Sequence, residues 1–256
     1  MNHSIPSLDD ALFEVRNAEA ASPLVLICEH ASPFIPPEFD HLGLAASDRE
    51  CHVVWDPGAK ALATRLAARL DATLITSGIS RLVYDCNRPP GAHDAIPARS
   101  EMVDVPGNAG LTAEEKADRA ERFYHPFREA VASVVARKAD PILVTVHSFT
   151  PIYHGEFREV EIGVLHDADA RLADVLMSDF SGLASRMVRR NEPYGPADGV
   201  THTLKEHALP GGHLNVMLEV RNDLLADEVA QSAMAAALAD WLIEALAKVE
   251  TRACKA

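Results

Sequence analysis

Two histidines and a glutamate lie where apolar runs of the sequence end, and these residue types can support metal-assisted chemistry. They are His30, His147 and Glu219. Imidazole nitrogen is a preferred zinc ligand, and a catalytic zinc usually keeps three protein ligands and one water. A carboxylate in so apolar a run is costly to bury without a partner. Glu219 therefore either pairs with a cation such as Arg221 or serves as a general base.

The third ligand of such a zinc site has two candidates. Asp56 precedes Pro57, and an aspartate before a proline is also a good helix N-cap, which we favour over a ligand by roughly two to one. Glu29 adjoins His30, but neighbouring residues of a strand point to opposite faces. Glu29 could share a metal with His30 only if the strand has already ended.

The segment 80–90 places two arginines and an asparagine close together, at Arg81, Asn87 and Arg88. Arginine binds carboxylates through a bidentate fork that lysine cannot reproduce. The alternative is that both arginines pair with Asp85 and other acids of the chain. A substrate that carries a carboxylate would give them a more specific use.

The elements that must position these residues are predicted by short apolar runs alternating with longer helix-like stretches, a pattern typical of a mostly parallel sheet covered by helices. In such sheets ligands bind at the carboxyl ends of the strands. Thr112 and Glu115 form a capping-box pattern at one helix start. Strands are predicted at Leu24–Cys28, Thr73–Thr76, Leu82–Asp85, Ile142–Val146, Val160–Leu165 and Asn215–Val220. Helices are predicted at Pro57–Leu70, Thr112–Lys138, Ala168–Arg189 and Ala226–Lys248.

The 256 residues suit one large α/β domain, 1–256. A net charge of −14 argues against nucleic acid or an anionic membrane as a partner. No apolar stretch approaches the length of about 20 residues that a membrane-spanning helix needs. The four scattered cysteines and the N-terminal sequence, which has no signal-peptide pattern, lead us to expect a cytoplasmic protein. Of the 12 histidines, we expect ordinary core or surface roles for His3, His41, His93, His125 and His166.

Six motifs, in their order and spacing over residues 24–225, resemble the N-formylglutamate amidohydrolase family. They are Cys28-Glu29-His30-Ala31-Ser32, Trp55-Asp56-Pro57-Gly58-Ala59, Ser80-Arg81 through Asn87-Arg88-Pro89, His147-Ser148-Phe149-Thr150-Pro151, Asn191-Glu192-Pro193-Tyr194 and Glu219-Val220-Arg221-Asn222-Asp223. The resemblance implies a zinc hydrolase whose α/β fold has three α/β/α layers and a mixed, mostly parallel central sheet. It also implies a fold similar to the zinc carboxypeptidases and phosphorylases.

The resemblance further implies one Zn²⁺ per chain, with His30, Asp56 and His147 as ligands and Glu219 as the catalytic base, which reverses the preference for Asp56 as a cap. The sequence departs from the carboxypeptidase pattern in one respect. That pattern has its acidic ligand three residues after the first histidine, where this chain has Pro33. The remaining implied roles are polarisation of the scissile carbonyl or a clamp on the substrate for Arg81, and substrate binding for Asn87, Arg88, Ser148 and Arg221.

The expected activity is hydrolysis of the amide that joins a formyl or other small acyl group to an acidic amino acid such as N-formylglutamate. Its partner would be a small anionic N-acyl amino acid, held in a small cationic site of zinc, Arg81 and Arg88 within an acidic chain. Alternatives are a related metallo-N-acylamino-acid hydrolase or peptidase, or a non-catalytic dicarboxylate-binding protein on the same scaffold. The long segment 191–212, with Asn191, Tyr194, His202 and His207, is expected to close over the site.

Overall fold

A computed structural model describes residues 12–179 and 181–253, and the expectation for His3 lies outside them. Its main sheet has seven strands in the order β1-β3-β2-β6-β11-β9-β10. Four of the six strand pairs are parallel, while β1 pairs with β3 and β9 with β11 in antiparallel fashion. The strands of this sheet are β1 Phe13–Arg16, β2 Leu24–Cys28, β3 Thr73–Ser77, β6 Ile142–Phe149, β9 Ile162–Leu165, β10 Val188–Arg190 and β11 Asn215–Arg221.

Two short hairpins and six helices complete the regular structure of the described residues. The hairpins are β4 Arg99–Ser100 with β5 Val103–Asp104, and β7 Ile152–Tyr153 with β8 Glu156–Phe157. The helices are α1 Ala59–Leu70, α2 Ala113–Arg119, α3 His125–Ala136, α4 Arg171–Ser178, α5 His202–His207 and α6 Glu228–Ala253. Short 3₁₀ turns lie between several of these elements.

Alternation of side chains along the buried strands divides the core into two. Leu24 and Leu26 of β2 pack with α1, α4 and α6 on one face of the sheet. Val25 and Ile27 of the same strand pack with α3 on the other face. This is the period-2 geometry of a strand buried on both sides. The prediction of three α/β/α layers around a mixed, mostly parallel sheet is confirmed.

Two predicted elements are wrong. Residues Leu82–Asp85 form turns instead of a strand, because the hydroxyl of Ser80 accepts from the Leu82 backbone N–H and donates to the Val54 carbonyl. The helix predicted over Ala168–Arg189 ends at Ser178, and the chain then enters strand β10 beside β9. The two hairpins and edge strands β1 and β10 were not predicted, since each is too short to give a periodic signal.

The helix predicted over Thr112–Lys138 is present in three parts. Its capping box forms as predicted, since the Thr112 hydroxyl accepts from the Glu115 backbone N–H and the Glu115 carboxylate accepts from Thr112. A π-helical turn at Ala120–Tyr124 then separates α2 from α3. Such single π turns are typical interruptions of a longer helix.

Helix α6 is long and apolar enough over Glu228–Val249 to meet the length and composition test for a membrane span. The expectation that no apolar stretch approaches that length is therefore wrong. In the fold, α6 packs against α1 and α4 and contributes Leu238, Trp241 and Leu242 to the core. A core helix meets the same test because its composition is set by burial rather than by lipid.

The register of the central strands fixes where the site forms. Glu219 of β11 lies opposite His147 of β6, and β2, which ends just before His30, is the next strand beyond β6. These three strands are parallel, so their carboxyl ends share one edge of the sheet. All three polar residues are buried there.

Candidate metal centre

His30, Asp56 and His147 converge at the carboxyl edge of the sheet. The Asp56 Oδ2 atom lies 3.0 Å from Nδ1 of His147 and 3.3 Å from Nδ1 of His30. The two Nδ1 atoms are 3.2 Å apart. All three side chains are buried, and their ligand atoms lie within 4.8 Å of one another. Two imidazoles and one carboxylate in this arrangement could hold a metal ion.

Asp56 faces the histidines and does not cap a helix. The residue before α1 is Gly58, and the helix start has no side-chain cap. Gly58 has a φ of +83°, and a Cβ atom there would lie 2.6 Å from Cβ of Leu225, so only glycine fits this close approach. The Asp56 backbone N–H donates to the His30 carbonyl, which fixes the carboxylate beside the imidazole.

A second carboxylate lies behind each histidine. Nε2 of His30 is 2.7 Å from Oδ1 of Asp85. Nε2 of His147 is 3.0 Å from Oε2 of Glu29, an ion-pair contact whose angle falls short of a hydrogen bond. Carboxylates in this position hold a proton on Nε2, so a metal would take the place of the proton on Nδ1 of each ring. Glu29 therefore lies behind His147, while Asp56 occupies the position of the third ligand.

The charges of the cluster perturb one another strongly. Burial alone would raise the pKa of Asp56, but the charge of His30 and hydrogen bonds from both histidines hold it below its ordinary value. Burial opposes a charge on His147, yet Glu29 and Asp56 raise the pKa of that imidazole well above its ordinary value. These mutual shifts show that the groups form one electrostatic unit.

Glu219 differs from the other carboxylates of the site. Burial and the charge of Asp56 raise its pKa to about 7, against the opposing attraction of His147. Its Oε2 atom is buried and makes no hydrogen bond to any described residue. A buried carboxyl that titrates near neutral pH can both accept and return a proton.

Arg81 bridges the two aspartates of the site. Its Nη1 atom lies 3.3 Å from Oδ1 of Asp56, and Nη2 lies 2.9 Å from Oδ2 of Asp85. About 29% of its side chain is exposed, on the side that faces the cavity. The predicted pairing of Arg81 with Asp85 is thus present, and part of the guanidinium still reaches the cavity.

Asn87 and Arg88 bind the chain around residues 198–203. The Asn87 side chain donates to the Val200 carbonyl and accepts from the backbone and hydroxyl of Thr203. Arg88 donates to Asp94 at 2.6 Å and to the carbonyls of Asn87, Asp198 and Gly199. Both side chains line the cavity, but their hydrogen-bonding groups are occupied within the protein.

Ser148 and Arg221, the other residues assigned to substrate binding, lie in different places. Ser148 lines the cavity, and its hydroxyl donates to the Pro57 carbonyl. Arg221 lies outside the lining of the cavity, where it pairs with Asp223 and donates to the carbonyl of Arg158. Arg221 thus ties the end of β11 to the chain that follows the β7–β8 hairpin.

The cavity in front of the cluster has a volume of about 360 Å³. Its lining contains six carboxylates and three guanidiniums, so the cationic site expected from zinc, Arg81 and Arg88 would depend on the charge of the metal. The carboxylates are Asp56, Asp85, Asp94, Glu101, Asp198 and Glu219, and the guanidiniums are Arg81, Arg88 and Arg99.

The segment 191–212 is only partly at the site. Tyr194 lines the cavity, whereas Asn191 accepts from the His166 backbone and His202 contacts the hydroxyl of Tyr124. Sequence reasoning missed His52, a further cavity residue, which pairs with Glu101. It follows no apolar run, so no strand end marked it.

The family model for N-formylglutamate amidohydrolase matches residues 22–226. The chain belongs to the N-formylglutamate amidohydrolase family. The match includes every residue of the candidate metal centre and of its cavity. A search of curated proteins gave no match.

Two solved structures share the fold of this family member. The crystal structure of a gene product from Agrobacterium tumefaciens is 49% identical, with a TM-score of 0.91 over 93% of this chain and 96% of that one. The N-formylglutamate amidohydrolase from Ralstonia eutropha JMP134 is 19% identical, with a TM-score of 0.56 over 94% of this chain and 98% of that one. The second likeness concerns the fold alone.

Proposed function

We propose that this protein is a zinc-dependent amidohydrolase that removes a formyl or other small acyl group from the nitrogen of an acidic amino acid such as N-formylglutamate. The observation that carries the proposal is the buried His30–Asp56–His147 cluster, which faces a cavity shared with Glu219. Membership of an amidohydrolase family supports the reaction type.

The donor set fits zinc. Two imidazole nitrogens and one carboxylate are a common ligand set for a catalytic zinc that keeps a fourth position for water. Each imidazole has a carboxylate behind it, at Asp85 and Glu29, as zinc-binding histidines usually do. When bound, zinc makes a water acidic and polarises a carbonyl oxygen.

Glu219 supplies the proton transfers. Its buried carboxylate takes a proton from the attacking water and returns it to the nitrogen of the departing amine, so the residue ends each cycle as it began. A pKa of about 7 suits both steps at neutral pH. Conversion of Glu219 to a glutamine removes this function while it retains the size of the side chain.

Arg81 is the arginine best placed to meet the substrate. Its partly exposed guanidinium faces the cavity beside the cluster and can donate to the acyl oxygen. Asn87 and Arg88 contribute by holding residues 198–203 as the cavity wall. Ser148 lies in the lining of the cavity that would hold the substrate, and Arg221 supports the chain that follows the β7–β8 hairpin.

Metal analysis combined with turnover of N-formylglutamate tests the proposal. We expect about one zinc per chain, loss of turnover on chelation, and recovery on addition of zinc. The Glu219→Gln variant should keep its zinc and lose turnover by about 10²–10⁴-fold. Glu161→Gln is the matched control, because Glu161 pairs with Arg186 away from the cavity. A metal-free protein with full turnover, or a fully active Glu219→Gln variant, would contradict the mechanism.

A panel of N-formyl and N-acetyl derivatives of glutamate, aspartate, glutamine and leucine then tests the substrate class. The proposal expects the highest kcat/KM on an N-formyl acidic amino acid. Highest kcat/KM on leucine derivatives would contradict the acidic preference and leave the hydrolytic chemistry intact. Binding of N-formylglutamate by a zinc-loaded wild type without turnover would instead identify a binding protein.

A further inference from the structure

Arg158 is enclosed by aromatic rings beside the cavity. Its guanidinium carbon lies 4.1 Å from the ring centre of Tyr153, 4.7 Å from that of Tyr194 and 5.6 Å from that of Phe149. Within the described part of the chain, Arg158 makes no ion pair with a carboxylate. A half-buried guanidinium whose neighbours are aromatic rings is stabilised by cation–π attraction.

The one polar side-chain contact of this guanidinium among the described residues is the hydroxyl of Tyr194. Nη1 of Arg158 donates to that oxygen at 2.8 Å. Arginine has no acceptor, so the phenol proton cannot point back at it. Among the hydrogen bonds of residues 12–179 and 181–253, the Tyr194 hydroxyl occurs only as an acceptor. Its own proton is therefore available to a molecule in the cavity.

Tyr194 is held next to the reacting groups. It lines the cavity with Glu219 and Arg81, and the charges of both act on its phenol. Its ring packs with Met217 and Leu165 in a small apolar cluster. The chain just before it crosses so close to Gly163 that a Cβ atom there would meet the Glu192 carbonyl.

We propose that the Tyr194 hydroxyl, polarised by Arg158, donates a hydrogen bond to the acyl oxygen of the scissile amide as negative charge develops there. This inference rests on the proposed function. The proton stays on the phenol throughout, so no group is transferred and only a hydrogen bond strengthens. Burial and the charge of Glu219 raise the pKa of Tyr194 to about 12, which keeps the donor protonated.

The Arg158–Tyr194 pair suits a negative charge that develops during the reaction better than a carboxylate that is charged beforehand. A substrate carboxylate is charged before reaction and would be bound most strongly by a guanidinium itself. The Arg158 guanidinium is covered by rings and does not line the cavity, so its effect reaches the cavity through the neutral phenol. The two Nη atoms of Arg81 are already shared with aspartates. Among the described residues, the Tyr194 hydroxyl is thus a donor in the cavity lining whose proton makes no other hydrogen bond.

The Tyr194→Phe variant of the zinc-loaded protein tests the role of the hydroxyl, since it keeps the ring. We expect kcat and kcat/KM to fall together by about 100-fold, with KM nearly constant, as for removal of one oxyanion donor. Tyr84→Phe is the control, because the Tyr84 hydroxyl is buried away from the cavity and makes no hydrogen bond to the described residues. A raised KM with unchanged kcat would overturn the proposal and assign Tyr194 to ground-state binding.

Arg158 is a positioning residue in this proposal, and a double-mutant cycle tests it. Arg158→Met should lower kcat in the wild-type background and have no further effect in Tyr194→Phe, because it acts through the lost hydroxyl. Equal losses in both backgrounds would overturn the link between the two residues.

Binding of a tetrahedral phosphonate analogue of the substrate, measured by calorimetry, gives a readout that does not depend on turnover. Tyr194→Phe should weaken the phosphonate by about 100-fold and leave the affinity of the product amino acid unchanged. Wild-type turnover together with a fully active Tyr194→Phe variant overturns this inference alone. Absence of wild-type turnover on all N-acyl amino acids overturns the proposed function as well.

Discussion

Glu29→Gln is the perturbation that most directly tests whether the carboxylates behind the histidines tune the metal centre. Glu29 is buried, and its Oε2 atom lies 3.0 Å from Nε2 of His147. Glutamine preserves the volume and can still present an oxygen to the ring N–H. The variant therefore removes a charge from behind His147, a proposed metal ligand, and leaves the proposed ligand Asp56 in place.

The size of the expected loss of zinc affinity follows from the distance between Glu29 and His147. Two unit charges 3.0 Å apart attract by about 5.5 kcal/mol at an effective dielectric constant of 20. A metal-bound imidazole carries only part of a unit charge, so the loss should be a fraction of this value. Removal of such outer carboxylates typically weakens metal binding by about 10–100-fold, or about 1.4–2.7 kcal/mol. We expect Glu29→Gln to fall within that range.

Competition with a chromophoric zinc chelator at fixed pH measures the affinity of wild type and variant. Glu161→Gln serves as the control, because it removes the charge of a half-buried carboxylate that pairs with Arg186 instead of a histidine. Unchanged zinc affinity in Glu29→Gln would refute the idea that Glu29 acts on His147. Equal weakening in both variants would attribute the effect to net charge and not to position.

Three further predictions concern other parts of the molecule. Asp85→Asn should weaken zinc by about 10–100-fold in the same competition assay, because Asp85 orients His30; wild-type affinity would contradict this. Burial lowers the pKa of His207 from 6.5 to about 4. The unfolded chain therefore binds the proton first, and stability is lost as the pH falls from 6.5 to 4, by about 2–3 kcal/mol. Urea unfolding at pH 7 and pH 4 should show a smaller acid loss in His207→Gln than in wild type. Gly163→Ala should cost about 1–3 kcal/mol in urea unfolding, because its Cβ would meet a backbone carbonyl. Gly182→Ala, which has open space around it, should be nearly neutral, and equal costs would contradict the argument.

The positions of His30, His147 and Glu219 could be predicted because they depend on a rule of topology. Parallel strands end at the same edge of a sheet, so polar residues that follow buried runs meet there. The same rule could not decide between a cap and a ligand for Asp56, since either role places an aspartate just before a helix. That choice depends on the direction of one side chain, and the Asp56 carboxylate is directed at Nδ1 of His30 and of His147.

Contacts between segments far apart in sequence could not be predicted. For Arg88 the sequence left open a substrate carboxylate or an acid of the chain, and nothing local shows that the carbonyls of residues 198 and 199 would occupy it as well. Arg158 and Tyr194 are 36 positions apart, and their pairing depends on how two loops cross. Short edge strands such as β10 are invisible for a related reason, because three residues carry too little periodicity.

The excess of carboxylates at the centre of this acidic chain is accounted for by charge balance. Glu29, Asp56, Asp85 and Glu219 surround the two histidines and contribute up to four negative charges, against the positive charge of Arg81 and those of the imidazoles while these are protonated. Buried charge of one sign is costly unless it is compensated. A zinc ion held by neutral imidazoles would bring two positive charges to the point where the carboxylates converge. The cationic character expected from zinc, Arg81 and Arg88 would then come mainly from the metal, with Arg81 as its neighbour.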